Sequence, residues 1–265
     1  GNVTAVFLLE PDMPCCSSHN TIATTSLAAA VACLVAATLS LCVLVSPVRA
    51  GEAAQRMPTE LAIRWDPASG GPGSVEDVVR ILDLAPGRTE SFSVRYFTVK
   101  PPPDVSPGLQ VIVRERTGDE GTISTYKVRG PARLRETGAF QRWTCPFENP
   151  RPEKAGLDLT WVSDGDPADA YARSCDADGP VAELLPQGFS AVPTTCKAEV
   201  QRWFSGHIRI ERWTLADRRV ILDVALDAKD SPVVISGFRD RAVRSLVAAG
   251  AQPLSSSKTE MGSHC

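Results

Sequence analysis

The stretch that decides the fold is GLQVIVRERTGDEGTISTYKVRG, residues 108–130. It predicts two β-strands joined by a five-residue hairpin loop, Thr117–Gly121, with glycines near both ends. Successive side chains of a strand point to opposite faces, so residues two apart share a face. Pairing of the two strands therefore brings four basic side chains onto one patch: Arg114, Arg116, Lys127 and Arg129.

Four like charges on one patch need a counter-charge. Like charges across paired strands destabilise a sheet unless something negative lies among them. The charge could be compensated by internal carboxylates, by a bound ligand or by exposure to water. The sequence leaves these alternatives open. The bound ligand is the functional hypothesis.

The composition is that of an ordinary globular protein. The 265 residues are 43% hydrophobic and 22% charged, which is enough for one large or two small domains. One basic and two acidic residues lie in residues 1–50, so the remainder holds 27 basic and 29 acidic residues, a formal charge of −2. This balance gives no argument for nucleic-acid binding, and any basic site must come from local clustering.

The N-terminal region predicts an export signal. Residues 27–45 form an uncharged run rich in Ala, Val and Leu, and Ser46–Ala50 resembles a signal-peptidase site. We therefore expect residues 1–50 to be a signal peptide and residues 51–265 to be exported, periplasmic or secreted, with no membrane contact after cleavage. The alternative is a retained anchor, because the run is just long enough to span a bilayer.

Four cysteines follow residue 50: Cys145, Cys175, Cys196 and Cys265. In an oxidising compartment they favour up to two disulfides, in any of three pairings, and their spacing does not match a zinc site. Residues 131–195 show little periodic apolar content, which predicts a disulfide-tied insertion at about these residues. Structured pieces are expected there at 141–144 and 157–162, with a short helix over Asp169–Ser174.

Alternating polar and apolar residues predict most of the other elements. Strands are expected over residues 60–65, 90–97, 196–204, 207–213 and 219–227, with one last strand over 253–261. Ser74 predicts the N-cap of a short helix that ends near residue 85. Phe238–Ala249 predicts an amphipathic helix that Gly250 ends.

Two architectures fit these strands. One is a sheet whose apolar face packs on helices and whose charged face meets water. The other is a barrel whose apolar outer face is covered, while charged residues line a tunnel. Both have a period of two, so periodicity does not decide between them, although the same-sign neighbours of the hairpin favour the tunnel.

Five segments, in chain order, carry a family resemblance: Glu60–Arg64, Tyr96–Thr98, Gly108–Arg116, Tyr126–Lys127 and Ser256–Gly262. They are similar to motifs of the CYTH family, the triphosphate tunnel metalloenzymes. That family forms an eight-stranded antiparallel barrel whose basic side chains hold a triphosphate and whose paired carboxylates hold Mg or Mn. The resemblance implies an α+β fold with one such barrel domain over residues 51–265 and a phosphate-rich ligand. It covers most of residues 59–130 and 197–262, and residues 131–195 lie outside it.

The resemblance also implies roles for individual residues. Phosphate oxygens would be bound by Arg95, Arg114, Arg116, Lys127, Arg129, Lys197, Arg209 and Lys258, with Arg64 as a further candidate. One or two Mg or Mn ions would be bound by Glu60, Glu199, Asp223 and Asp227. Arginine offers phosphate a bidentate contact and lysine a compact charge, and the ions would polarise the terminal phosphoryl group.

Departures from the family pattern leave two functions open. Ala62 stands where a second Glu is expected, and Tyr96–Thr98 lacks the family's Asp. Missing carboxylates weaken divalent metal binding, because the ion needs several oxygen ligands. One hypothesis is a metal-dependent hydrolase of triphosphate or polyphosphate. The other is a non-catalytic module that holds a polyanion or presents a solvated charged face. The substrate and the oligomeric state do not follow from the sequence.

Overall fold

The computed structural model describes residues 56–85 and 87–263 of the chain. In this part, nine strands close into a barrel in the order β1-β5-β6-β4-β3-β2-β7-β8-β9. Neighbours are antiparallel except β1 and β5, which are parallel. The strands are β1 (Pro58–Trp65), β2 (Arg88–Lys100), β3 (Gln110–Gly118), β4 (Gly121–Pro131), β5 (Lys154–Trp161), β6 (Ala168–Asp178), β7 (Ser190–Ser205), β8 (Ile208–Leu215) and β9 (Val220–Lys229).

Short helices lie between and after the strands. They are α1 (Val75–Ile81), α2 (Val181–Leu184), α3 (Pro232–Phe238), α4 (Arg244–Ala248) and α5 (Lys258–Ser263). A π-helical stretch, Arg239–Val243, joins α3 to α4, and single 3-10 turns occupy Pro67–Ser69 and Ala132–Arg135. Ser74 caps α1 as the sequence predicts, since its hydroxyl accepts a hydrogen bond from the Asp77 amide at 3.1 Å.

The outer face of β1 and its neighbours is apolar and packs on the helices. Leu61, Ile63 and Trp65 of β1 are fully buried against Phe238 and Leu246. Burial of such side chains is the main favourable term that closes the barrel. The intervening charged residues of β1 therefore point into the barrel, which confirms the tunnel architecture that the CYTH resemblance implies. The alternative, a charged sheet face that meets water, does not hold for β1.

One part of the barrel interior is apolar rather than charged. Val94 of β2 pairs with Arg116 and with Ala198 of β7, so these residues share the inner face. Val94 and Ala198 belong to a buried cluster with Tyr96 and Trp213, against which Leu254 and Met261 of the C-terminal segment pack. The charged cavity therefore occupies only part of the interior.

The segment 131–195 is not an excursion from the barrel. It contributes β5 and β6, and the predicted helix at Asp169–Ser174 is part of β6. The prediction was wrong because β6 turns Ala170 and Ala172 inward, and small inward residues hide the alternation of polar and apolar positions. The disulfide Cys145–Cys175 ties the loop before β5 to β6, while Cys265 lies outside the described residues.

Two local predictions also need correction. Gly118 pairs with Gly121, so a two-residue turn replaces the expected five-residue hairpin loop. The expected strand over 253–261 is reduced to a single bridge between Trp65 and Pro253, and α5 follows it. The predicted export signal, residues 1–50, lies outside the described residues. Between residues 56 and 263, Pro86 excepted, no helix is long and apolar enough to cross a membrane.

Candidate anion-binding site in the barrel

A cavity of about 290 Å³ lies inside the barrel. Nine basic and four acidic side chains line it, a formal excess of five positive charges. The basic residues are Arg64, Arg114, Arg116, Lys127, Arg129, Lys154, Arg202, Arg209 and Lys258, and the acidic residues are Glu60, Asp158, Asp176 and Glu211. An enclosed surface with such an excess concentrates anions.

Glu211 of β8 is the centre of the acidic part of the cavity wall. Its Oε1 accepts a hydrogen bond from Arg202 Nε at 2.6 Å. Its Oε2 accepts hydrogen bonds from Lys258 Nζ at 2.6 Å and from Trp213 Nε1 at 2.9 Å. Burial raises the pKa of Glu211, but the surrounding Lys258, Arg209 and Arg202 bring it well below its ordinary value of 4.5. Glu211 is therefore a fully satisfied carboxylate.

The other acidic groups of this wall are paired as well. Asp223 is fully buried, with Oδ1 2.7 Å from Arg64 Nε and Oδ2 2.8 Å from Lys258 Nζ. Arg209 contacts Glu60 at 2.5 Å and Asp227 at 2.8 Å. Burial alone raises the pKa of Glu60, yet Arg209, Lys258 and Arg64 together lower it far below the ordinary value. Each predicted metal ligand inside the barrel is thus already neutralised by a basic side chain.

Because of these pairings, the free energy of unfolding should fall as the pH is lowered into the acid range. A carboxylate whose pKa is lower in the folded than in the unfolded protein stabilises the fold above its unfolded pKa, and that contribution is lost as the pH falls. For Glu60 and Glu211 the unfolded value is near 4.5. We expect the free energy of unfolding, measured by urea denaturation, to fall steadily as the pH drops below about 4.5. A free energy that stays level or rises from about pH 5 to about pH 3 would contradict these pairings.

The predicted Mg or Mn ligands do not form a metal site. Glu199 is exposed on β7, where it is paired with Ser93 and Thr214 on the outer face of the barrel. In the described part of the chain, no group of three or more His, Cys, Asp or Glu side chains is placed to hold a metal ion. Glu60, Asp223 and Asp227 contact guanidinium or ammonium groups instead. The donor set therefore does not fit a divalent ion.

The basic wall, by contrast, has more cations than carboxylates. Lys127 Nζ and Arg129 Nε share one oxygen of Asp158, at 3.2 and 3.0 Å. Asp176 accepts hydrogen bonds from Lys154 at 2.8 Å and from Thr125 at 2.7 Å. Burial raises the pKa of Asp176, but these two hydrogen bonds and nearby positive charge bring it below its ordinary value. Internal carboxylates thus neutralise part of the positive charge of the hairpin.

In the described part of the chain, Arg114 and Arg116 are the cavity cations that form no ion pair with a carboxylate. Both line the cavity, and the Nε atom of each is buried without a hydrogen-bond partner. Among the described residues, no carboxylate lies within ion-pair distance of either guanidinium. Burial, followed by repulsion from Arg114 and Arg202, lowers the pKa of Arg116 to about 10, although the more distant Asp176 and Glu211 act in the opposite direction. A buried cation among other cations is unfavourable until an anion joins it.

Five predicted site residues do not line the cavity. Asp223 is fully buried beside it and Asp227 is exposed, while the other three are Arg95, Lys197 and Glu199. Arg95 of β2 is exposed and pairs with the exposed Lys197 and with Glu115, on the opposite face from Val94 and Tyr96. Lys197 and Glu199 share the outer face of β7. The prediction placed their charges inside because it assumed that polar residues always face the tunnel, whereas β2 and β7 turn apolar residues inward.

The structure adds site residues that the sequence did not indicate. Lys154, Asp158 and Asp176 come from β5 and β6, in the segment 131–195 that the sequence predicts to be an insertion. Arg202 was missed because β7 was assigned the wrong inner face. Glu211 lies two residues from Arg209 on the same face of β8, so the alternation that identified Arg209 was the signal that could have found it.

Comparison with known proteins gives similarity at low identity. No family model and no curated protein matches the chain. A Pyrococcus horikoshii structure is 12% identical, with a TM-score of 0.42 over 76% of this chain and 97% of its own. A Vibrio parahaemolyticus structure, provisionally described as an adenylate cyclase, is 13% identical, with a TM-score of 0.43 over 77% and 97%.

A third similar structure comes from Hippeastrum. It is provisionally described as an adenylyl cyclase with a dominant triphosphatase activity, and it is 9% identical, with a TM-score of 0.41 over 77% of this chain and 94% of its own. TM-scores below 0.5 decide neither substrate nor mechanism. The function is therefore argued from the residues of this chain.

Proposed function

We propose that this chain is a CYTH-like tunnel protein that binds a phosphate-rich anion, a triphosphate or a polyphosphate, inside the barrel without a divalent metal. The observation that carries the proposal is the pair of cavity arginines, Arg114 and Arg116, that form no ion pair with a carboxylate among the described residues. The closed barrel holds both residues in place on β3, so the positive charge is already positioned before the anion binds. Export of this domain, suggested by residues 27–45, is part of the same proposal.

Phosphate chemistry fits this arrangement better than a simple carboxylate ligand. A guanidinium binds two phosphate oxygens at once, and ammonium groups add compact charge. Arg114 and Arg116 would bind one end of the anion, while Lys127 and Arg129, which share the single Asp158, have charge left for a second phosphate group. A cavity of about 290 Å³ is at the small end for ligand sites, which favours a short chain.

Binding without hydrolysis follows from the state of the carboxylates. A divalent ion that polarises a terminal phosphoryl group needs several free oxygen ligands. Glu60 instead forms an ion pair with Arg209, and Asp223 forms ion pairs with Arg64 and Lys258. The same residues therefore contribute to the fold and to the charge balance of the cavity rather than to metal-assisted hydrolysis.

The test combines a chain-length series with a phosphate-release assay. Orthophosphate, pyrophosphate and tripolyphosphate should bind with increasing affinity, and added salt should weaken binding, since the contacts are between charges. Tripolyphosphate should bind with Mg or Mn present or absent, and no orthophosphate should be released. Release that depends on the metal and disappears in Arg114→Ala would instead support the hydrolase, and absence of both binding and release would contradict the proposal.

A further inference from the structure

The ammonium group of Lys258 lies between two buried carboxylates. Its Nζ is 2.6 Å from Glu211 Oε2 and 2.8 Å from Asp223 Oδ2. The side chains of Glu211 and Asp223 are 1% and 0% exposed, and that of Lys258 is 13% exposed. The two acids come from adjacent strands, where they face each other in register.

We propose that Lys258 is a built-in cation that occupies the space a divalent ion would take between Glu211 and Asp223, and that it closes this site to Mg²⁺ and Mn²⁺. Two carboxylates at such close range cannot both stay ionised in a buried place unless a cation lies between them. Here the chain itself supplies that cation, so the metal that the family resemblance implies is replaced by a side chain.

The C-terminal segment holds Lys258 in this position. Before it, the Leu254 amide donates a hydrogen bond to the Arg64 carbonyl at 2.8 Å, and Pro253 bridges to Trp65. After it, Met261 packs on the apolar cluster inside the barrel together with Leu254. The Ser257 amide donates to Glu260 Oε2 at 2.7 Å, which caps the start of α5. The lysine is thus inserted by an anchored segment rather than by a free tail.

Two arginines lie beside the remaining oxygens of both acids. Arg64 Nε lies 2.7 Å from the other oxygen of Asp223, and Arg202 Nε lies 2.6 Å from the other oxygen of Glu211. Trp213 Nε1 also donates to Glu211 at 2.9 Å, and its ring centre lies 5.7 Å from the Lys258 ammonium. Loss of Lys258 alone would therefore uncover Asp223 Oδ2 and leave Glu211 Oε2 with only its Trp213 contact, which is the start of a hard-cation site.

The experiment is a titration with Mn²⁺ followed by electron paramagnetic resonance, which reads metal binding directly and needs no phosphate ligand. We expect the wild-type protein to leave Mn²⁺ free. Lys258→Ala should bind one Mn²⁺ at least tenfold more tightly than wild type, and Lys258→Arg, which keeps the charge, should bind none. The matched control is Lys197→Ala, because Lys197 is exposed on the outer face of the barrel.

Thermal unfolding serves as the control that the Lys258→Ala variant is folded. If Lys258→Ala is destabilised, Mn²⁺ should raise its unfolding midpoint without changing that of the wild type, because a cation then returns between the two acids. Stoichiometric Mn²⁺ binding by the wild type, or a Lys258→Ala protein that neither binds Mn²⁺ nor gains stability from it, would overturn the proposal. Mn²⁺ binding by the wild type would also contradict the metal-free part of the proposed function, whereas anion binding by Arg114 and Arg116 is judged by its own test.

Discussion

Replacement of Arg116 by Met is expected to weaken tripolyphosphate binding by about 10- to 150-fold, because one hydrogen-bonded charge contact contributes about 1.5–3 kcal/mol. The same change should not destabilise the protein. Arg116 is a partly buried cation beside Arg114 and Arg202, with no carboxylate at ion-pair distance among the described residues. An apolar side chain of similar length removes that desolvation cost, and the free energy of unfolding should rise by about 1–2 kcal/mol.

Calorimetric titration and urea denaturation of the same preparations measure the two effects. Arg95→Met is the matched control, since Arg95 lies on the neighbouring strand, pairs with Glu115 on the outer face and is exposed. It should change neither quantity appreciably. If Arg116→Met binds tripolyphosphate with wild-type affinity, this arginine does not contribute to anion binding. If the variant loses much stability, the charge of Arg116 is already compensated inside the fold.

Replacement of Glu211 by Ala should lower the free energy of unfolding, in contrast to Arg116→Met. It should also have the largest effect on stability. Glu211 accepts hydrogen bonds from Arg202, Lys258 and Trp213 and is 1% exposed. Removal of one partner of a buried ion pair leaves uncompensated charge and costs about 3–5 kcal/mol. The free energy of unfolding should therefore fall by about that amount in urea denaturation at neutral pH.

Glu199→Ala is the control for this change. Glu199 also belongs to a barrel strand but is exposed on the outer face of β7, so its removal should change the free energy of unfolding by less than about 0.5 kcal/mol. If Glu211→Ala were as mild as Glu199→Ala, the carboxylate would not be the centre of the network, and the pairing of the acidic wall would have to be revised.

The sequence predicted the basic hairpin because its pattern is unambiguous. Arg114, Arg116, Lys127 and Arg129 alternate with Val113, Tyr126 and Val128, and all four basic residues line the cavity. The same rule failed in β2 and β7. There the interior is apolar, so Val94 and Ala198 point inward and Arg95 and Lys197 point outward. Alternation shows that a strand has two faces, but not which face is the inner one.

The partners of the charged residues could not be predicted in this way. Arg209 contacts Glu60 across 149 positions of the chain. Lys127 of β4 contacts Asp158 of β5, although β6 lies between these two strands in the barrel. Such contacts depend on the order and register of strands around the barrel, which the period of two does not contain. For this reason the sequence could not show that Glu60, Asp223 and Asp227 form ion pairs, or that Glu199 lies on the outer face.

The most direct measurement is a calorimetric titration of the wild-type protein with tripolyphosphate in the presence of EDTA, repeated with the Arg114→Met/Arg116→Met double variant. The unpaired cavity arginines predict saturable one-to-one binding by the wild type without metal, and no measurable binding by the folded double variant. Absence of binding by the wild type in EDTA, or equal binding by both proteins, would contradict the claim that these two arginines bind the anion.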